Sequence, residues 1–258
     1  TQADTPPTGT KPVTLIDADV HPAPDYQAVL KYMPAALARR GWQQPGSMGF
    51  GNPHSVMRPD AKPPGGGPIG SDPDFMLAHH FEAFDIDYGI LNVAGGVGVS
   101  CDYRFAAAGE WALNDYMLET WLAHDERLYG AISVSPQWPE EAAKAIRHFG
   151  GERKFVQVMM SSASAQPYGQ VRFWPIYEAA VEMGLPVAIH PGHEGRGITG
   201  PPTAAGWPSS YFEWHTDLPQ SYMTHLVSLV LEGAFQEFPD LTFVAVEGGV
   251  AWLPSTMW

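Results

Sequence analysis

Short apolar runs alternate with longer amphipathic stretches along most of the chain. Residues 13–17, 88–93, 128–134, 155–160, 186–190 and 241–247 are dominated by Val, Ile, Leu, Met and Ala. Nearly continuous runs of this kind predict parallel strands covered on both faces, not strands with one wet side. Between them the spacing predicts helices over 25–40, 74–84, 106–124, 139–149, 172–183 and 221–238. Pro139 near one helix start, and Gly150 and Gly184 just past two helix ends, supply the punctuation. Repeated strand–helix alternation means an α/β fold with a parallel sheet, doubly wound or closed into a barrel.

Polar residues sit where the predicted strands end: Asp17, Asp19 and His21 after the first, His190 after the fifth, Glu247 after the sixth. In both architectures this edge of the sheet carries the active site. The barrel is favoured, because side chains from strands so far apart in sequence would have to converge. Two long stretches interrupt the pattern. Residues 41–73 are crowded with Pro and Gly, and residues 191–219 carry Trp207, Tyr211, Phe212 and Trp214. Both are expected to be structureless loops that act as lids or binding loops.

Composition removes several function classes. A chain of 258 residues, 45% hydrophobic and 12% aromatic, is long enough for one large barrel with a substantial core. Only 16% of its residues are charged, and 27 Gly and 25 Pro point to long ordered loops. Fourteen basic residues stand against 28 acidic ones, a net charge of −14. Five lysines cannot build a phosphate-binding patch, so neither nucleic acid nor an anionic membrane is an expected partner. The single cysteine, Cys101, excludes an intrachain disulfide framework and any zinc ribbon. Residues 1–12 read as a flexible polar lead-in without the pattern of a secretory signal, ahead of one barrel domain over 13–258. The expected location is the cytoplasm.

The strongest chemical motif is Asp17-Ala18-Asp19-Val20-His21. Residues two apart on a strand share a face at a spacing of about 7 Å, so Asp19 and His21 can reach one metal ion. The competing reading is a strand end capped by turn-forming aspartates and a surface histidine. His190-Pro191-Gly192-His193 adds a histidine at the end of a buried strand, which makes a distributed site of three ligands the better reading. Glu247-Gly248-Gly249 offers a carboxylate for general acid–base work, or a capping acid in a tight turn. Arg58 is one of few cations near the expected mouth and is a candidate for a substrate carboxylate. Trp214 and His215 are candidates to touch substrate. His79 and His80 read as structural, since one of two neighbours on a helix faces away from any site. Gly95–Ser100 lacks a dinucleotide-binding spacing, and there is no G-x-S-x-G elbow.

V-T-L-I-D-A-D-V-H-P, P-V-A-I-H-P-G and F-P-D-L-T-F-V-A-V-E-G-G-V-A-W-L-P together resemble the amidohydrolase superfamily. More narrowly they resemble the branch containing aminocarboxymuconate-semialdehyde decarboxylase and γ-resorcylate decarboxylase. The resemblance covers nearly the whole chain. It implies a distorted (β/α)8 TIM barrel holding one divalent metal ion, zinc ahead of manganese. It assigns Asp19 and His21 as the first-strand ligands, with Asp standing where His or Glu is usual, and His190 as the fifth-strand ligand. Glu247 occupies the position of a proton-transferring residue that is usually His. The family's further metal-binding Asp, after the eighth strand, has no counterpart here. Only about six strand–helix units are therefore expected, the barrel being truncated before strands 7 and 8.

The expected activity is metal-dependent, non-oxidative decarboxylation of a small carboxylated aromatic or unsaturated ring compound. Hydrolysis of a lactone or amide is the alternative, and a non-catalytic barrel fragment lacking the last ligand is the third reading. The expected partner is a small carboxylated substrate, with room for a homodimer.

Overall fold

The computed structural model describes residues 13–42, 58–94 and 96–257. The expected lead-in over 1–12, and most of the Pro- and Gly-rich stretch after residue 42, lie outside the described residues. Six strands, β1 (Ile16–Val20), β2 (Tyr88–Leu91), β3 (Leu128–Ser133), β4 (Phe155–Ser161), β5 (Val187–His190) and β6 (Phe243–Ala245), form one sheet in sequential order. Every neighbouring pair is parallel. Helices separate the strands: α1 (Tyr26–Val29), α2 (Ala35–Ala38) and α3 (Pro73–Met76) precede β2, and α4 (Tyr103–Tyr116) precedes β3. α5 (Pro139–Phe149) and α6 (Trp174–Glu182) precede β4 and β5. α7 (Tyr211–Asp217), α8 (Pro219–Leu231) and α9 (Ala234–Glu237) lie between β5 and β6, and α10 (Leu253–Thr256) follows.

The sheet is curled. In a flat sheet β1 and β5, four strand spacings apart, would be separated by about 19 Å. Instead side chains at their ends meet, with Asp19 Oδ1 3.3 Å from His190 Nε2. The main core lies between the sheet and the helices, built on residues such as Phe81, Leu113, Leu122, Ile132, Ile146, Tyr177 and Leu229. A smaller inner group, Ala131, Met159 and Ala188 with Val244 and Val246, fills the concave side.

All six expected strands are present, with local corrections. β1 starts three residues later than the β-branched run suggests, because pairing to β2 begins at Ile16 opposite Tyr88. Val13 is 87% exposed, and the neighbouring strand sets the limits, not local composition. The helix expected over 25–40 is broken at Pro34, whose ψ of 130° is extended, with Met33 extended before it. The helix expected over 221–238 breaks at Gly233, which takes φ 81°. The stretch 191–219 is not structureless, since α7 lies within it. Ser210 caps α7 by accepting the Glu213 N–H, and Glu213 reaches back to the Ser209 N–H at 2.8 Å. Ser210-x-x-Glu213 is a capping-box signature that the aromatic content of the stretch obscures.

Candidate metal centre

Asp19, His21 and His190 converge at the C-terminal edge of the sheet. One ligand atom from each lies within 4.8 Å of the others. Each histidine is oriented by a main-chain carbonyl. His21 donates from Nδ1 to Asn92 O at 2.9 Å, and His190 donates from Nδ1 to Pro191 O at 2.6 Å. A carbonyl only accepts, so both rings carry their proton on Nδ1 and turn the Nε2 lone pair inward. The two rings meet edge to face at 4.8 Å. His190 Nε2 is buried and makes no hydrogen bond. A lone pair facing a carboxylate in a dry site is unfavourable, and a divalent cation between them removes the conflict. The donor set of two imidazoles and one carboxylate suits zinc, manganese or iron.

Asp19 is held by side chains. Asn92 donates its amide to Asp19 Oδ1 at 2.8 Å, and Gln157 on β4 donates to Asn92 Oδ1 at 2.9 Å. Asp17 accepts the Asp19 N–H at 3.0 Å on one oxygen and His80 Nε2–H at 2.7 Å on the other. Burial pushes the Asp19 carboxyl up, but its pairing with His190 and the Asn92 amide outweigh it and hold it below its ordinary value. Burial likewise opposes charge on His190, yet Asp19 raises it overall. Asn92 and Gln157 were not singled out in the sequence. Their signal was a polar residue inside or just beyond a strand with buried neighbours, and both are almost fully buried.

Glu247 lies just past β6, with Oε2 3.8 Å from His190 Nε2. Its φ of 58° is left-handed, which is costly for a residue with a Cβ. The turn is anchored by Tyr222, whose hydroxyl donates to Val246 O. Glu247 also acts electrostatically on Tyr211 of α7, whose hydroxyl is raised first by burial and then by this charge.

A cavity of about 400 Å³ opens beside the ligands. It is lined by Asp19 and His21, by Arg58, His79 and His80, and by apolar Ile69, Phe75, Met76 and Phe84. His79 and His80 both reach it, contrary to the expectation that one must face away. The segment Leu77–Glu82 is π-helical, so neighbouring positions do not follow the α-helical spacing. Arg58 pairs with Asp60 through Nε at 3.0 Å, and this hydrogen bond holds the Asp60 carboxyl down to about 2.

Trp214 and His215 are not brought to this cavity. Trp214 is 3% exposed within the core, and His215 is exposed and stacks on Tyr211 at 5.4 Å. The capping of α7 turns Trp214 toward the core and His215 away from it. His193 and His225 are buried and neutral. His193 Nε2–H donates to Gly96 O at 3.2 Å, and His225 accepts the Tyr168 N–H at 3.1 Å while donating to Ser162 O at 2.7 Å. Burial lowers both to about 4.

Solved structures share this architecture. 5-Carboxyvanillate decarboxylase from Novosphingobium aromaticivorans, complexed with manganese and 4-hydroxy-3-methoxy-5-nitrobenzoic acid, superposes with a TM-score of 0.65 at 20% identity. The match covers 94% of this chain and 68% of that one. 2,6-Dihydroxybenzoate decarboxylase from Rhizobium gives 0.58 at 19% identity, covering 73% of this chain and 60% of that one. An amidohydrolase from Mycobacterium avium subsp. paratuberculosis gives 0.67 at 19% identity, covering 96% and 76%. These likenesses establish a partial TIM barrel of the amidohydrolase type. No curated protein matches the sequence. No helix among the described residues is long and apolar enough to cross a membrane. The family profile for amidohydrolases matches residues 16–258, which takes in every strand and every ligand of the cluster, and the chain therefore belongs to the amidohydrolase family.

Proposed function

We propose that this chain carries the metal centre of a non-oxidative decarboxylase acting on a small carboxylated aromatic or unsaturated ring compound. The observation that carries the reading is the pairing of an inward-facing His190 Nε2 with a left-handed Glu247 3.8 Å away. Asp19, His21 and His190 would hold one divalent ion, which when bound would supply Lewis-acid stabilisation of developing negative charge. The decarboxylases superposing on the chain include one complexed with manganese, so manganese stands beside zinc as the ion to test.

The chain's own residues divide the remaining work. Phe75, Met76 and Phe84 offer apolar surface to a ring, and Arg58 still has N–H groups beyond those given to Asp60. Glu247 is the proton carrier: its carboxyl proton goes to the ring carbon, the C–CO2 bond breaks with its electron pair returning to the ring, and CO2 leaves. Glu247 is partly exposed and reloads from water.

The purified protein should bind one equivalent of Mn2+ or Zn2+ and lose it in His190→Ala. With metal it should release CO2 from 2,6-dihydroxybenzoate or 5-carboxyvanillate. Acid production from a lactone without CO2 would replace this reading with hydrolysis, and a folded protein that binds no metal would overturn both.

A further inference from the structure

His193 follows His190 by three residues, and both imidazoles line one small chamber. Gly192 between them takes φ 131°, a conformation that favours glycine and lets the chain double back. The main chain of His193 is pinned, its carbonyl accepting the Arg196 N–H at 3.1 Å and the Thr199 hydroxyl at 3.2 Å. The residue is only 8% exposed. Nε2–H donates to Gly96 O at 3.2 Å, and a carbonyl only accepts, so the proton sits on Nε2 and Nδ1 keeps its lone pair. Burial, with the charge of Arg196, keeps the ring neutral against the bond to Gly96 O. Among the described residues Nδ1 makes no hydrogen bond. A buried acceptor left without a donor is costly, and a fixed ring that leaves one is preorganised for a ligand that donates.

The chamber has a volume of about 30 Å³, and its other walls include Glu110, Ser133, Ser161 and Met159. That is room for a group of one or two heavy atoms, too little for a carboxylate. The Ser161 hydroxyl oxygen accepts the Ala163 N–H at 3.0 Å, which leaves its proton free to donate. A hydroxyl both donates and accepts, so it satisfies the His193 lone pair and the serine together. An anionic group would face that lone pair and the Glu110 carboxyl, and among the described residues no Lys or Arg lines the chamber. The three candidate ligand atoms lie within 4.8 Å of one another, so a ring held at the centre from the larger cavity can present a substituent here on the His190 side.

We propose that this chamber is a subsite for a hydroxyl substituent of the substrate ring, with His193 Nδ1 as the acceptor that selects it. This rests on the reading of the His190 centre as a site for acidic ring compounds. Calorimetric titration of the Mn2+-loaded protein compares the three hydroxybenzoate isomers with their methoxy counterparts, which keep the oxygen and lose the proton. In at least one isomer the hydroxy acid should bind at least about tenfold tighter, because its counterpart leaves the buried acceptor unpaired. His193→Leu should erase that preference with Mn2+ affinity unchanged. His193→Gln, whose amide can still donate to Gly96 O and still accept, should keep part of it. In the Zn2+-loaded protein the nitrogen NMR resonance of His193 Nδ1 should move with the preferred hydroxy acid and not with its methoxy counterpart, a reading that holds even where a variant fails to fold. No preference in any isomer, a preference unchanged in His193→Leu, or an unmoved Nδ1 resonance overturns the proposal, while acid binding that needs Mn2+ leaves the metal reading standing. A preference that collapses in His193→Leu but ignores Mn2+ upholds His193 and overturns the metal reading instead. Binding of none of the acids overturns both.

Discussion

His190 Nε2 and Asp19 Oδ1 lie 3.3 Å apart although their residues belong to the fifth and first strands of a sequential sheet. The contact depends on the curl of the sheet, and its chemistry on an ion to reconcile the two acceptors. Adding a divalent ion at about one hundred times its dissociation constant should stabilise the fold by about 2.7 kcal/mol, and a chelator should remove the gain. Thermal unfolding with and without Mn2+ measures this. His190→Ala should show no metal-dependent shift.

Asn92 orients two of the candidate ligands at once, through its carbonyl and its amide. Asn92→Ala keeps the carbonyl that holds His21 and removes the amide that holds Asp19. Metal affinity should fall about 10- to 100-fold. Gln157→Ala, which frees Asn92 Oδ1, should weaken metal binding in the same direction by less. Competition with a fluorescent chelator separates the two.

Glu247 sets stability against activity. In Glu247→Gly the left-handed backbone loses its steric penalty, so the fold should gain about 1 kcal/mol in urea unfolding. With Glu247 as the proposed proton carrier, turnover should fall about 100- to 10,000-fold. Glu247→Gln should show the same loss of turnover without the gain in stability. A Glu247→Gly protein that is less stable than the parent would refute the strain argument.

Three buried groups give the fold a pH dependence of definite sign. His193 and His225 are lowered to about 4 from 6.5, so between these values the unfolded chain binds protons that the fold excludes. Glu110 is pushed up by burial from 4.5 to about 7, against hydrogen bonds from Val97 and Gly98, and in that range the fold holds a proton that the unfolded chain releases. Between about 4.5 and 6.5 unfolding takes up two protons and releases one across these groups, so their combined contribution to stability rises with pH. The slope is about 1.4 kcal/mol per pH unit for each net proton. Glu110→Gln removes the opposing group and should steepen the rise by about that amount. Urea unfolding of both proteins at about pH 5 and about pH 6 gives the difference.

The strand order and the convergence of Asp19, His21 and His190 were legible because each depends on local pattern: buried apolar runs for the strands, and polar residues at their ends for the cluster. What was not legible depends on partners. Nothing in residues 13–17 shows that β1 begins at Ile16, since β2 decides it. The helical spacing behind the reading of His79 and His80 fails because their segment is π-helical, which apolar periodicity does not reveal. Trp214 looked available because its surroundings read as a loop, whereas the Ser210 cap places it on a helix with its ring in the core. Asn92 and Gln157 went unnoticed because a lone amide beside apolar residues carries no chemical signature until its neighbours are known.

Two of the three candidate ligands are steered by peptide carbonyls, Asn92 O for His21 and Pro191 O for His190. No side-chain substitution deletes a carbonyl, so the aim of both imidazoles is inherited with the path of the chain and survives mutational drift. Asp19 alone is steered by side chains, through Asn92 and Gln157, each of which a single codon change can remove. Evolutionary variation at this centre should therefore concentrate at the first-strand carboxylate, and this is where the chain has Asp in place of the His or Glu expected of its relatives.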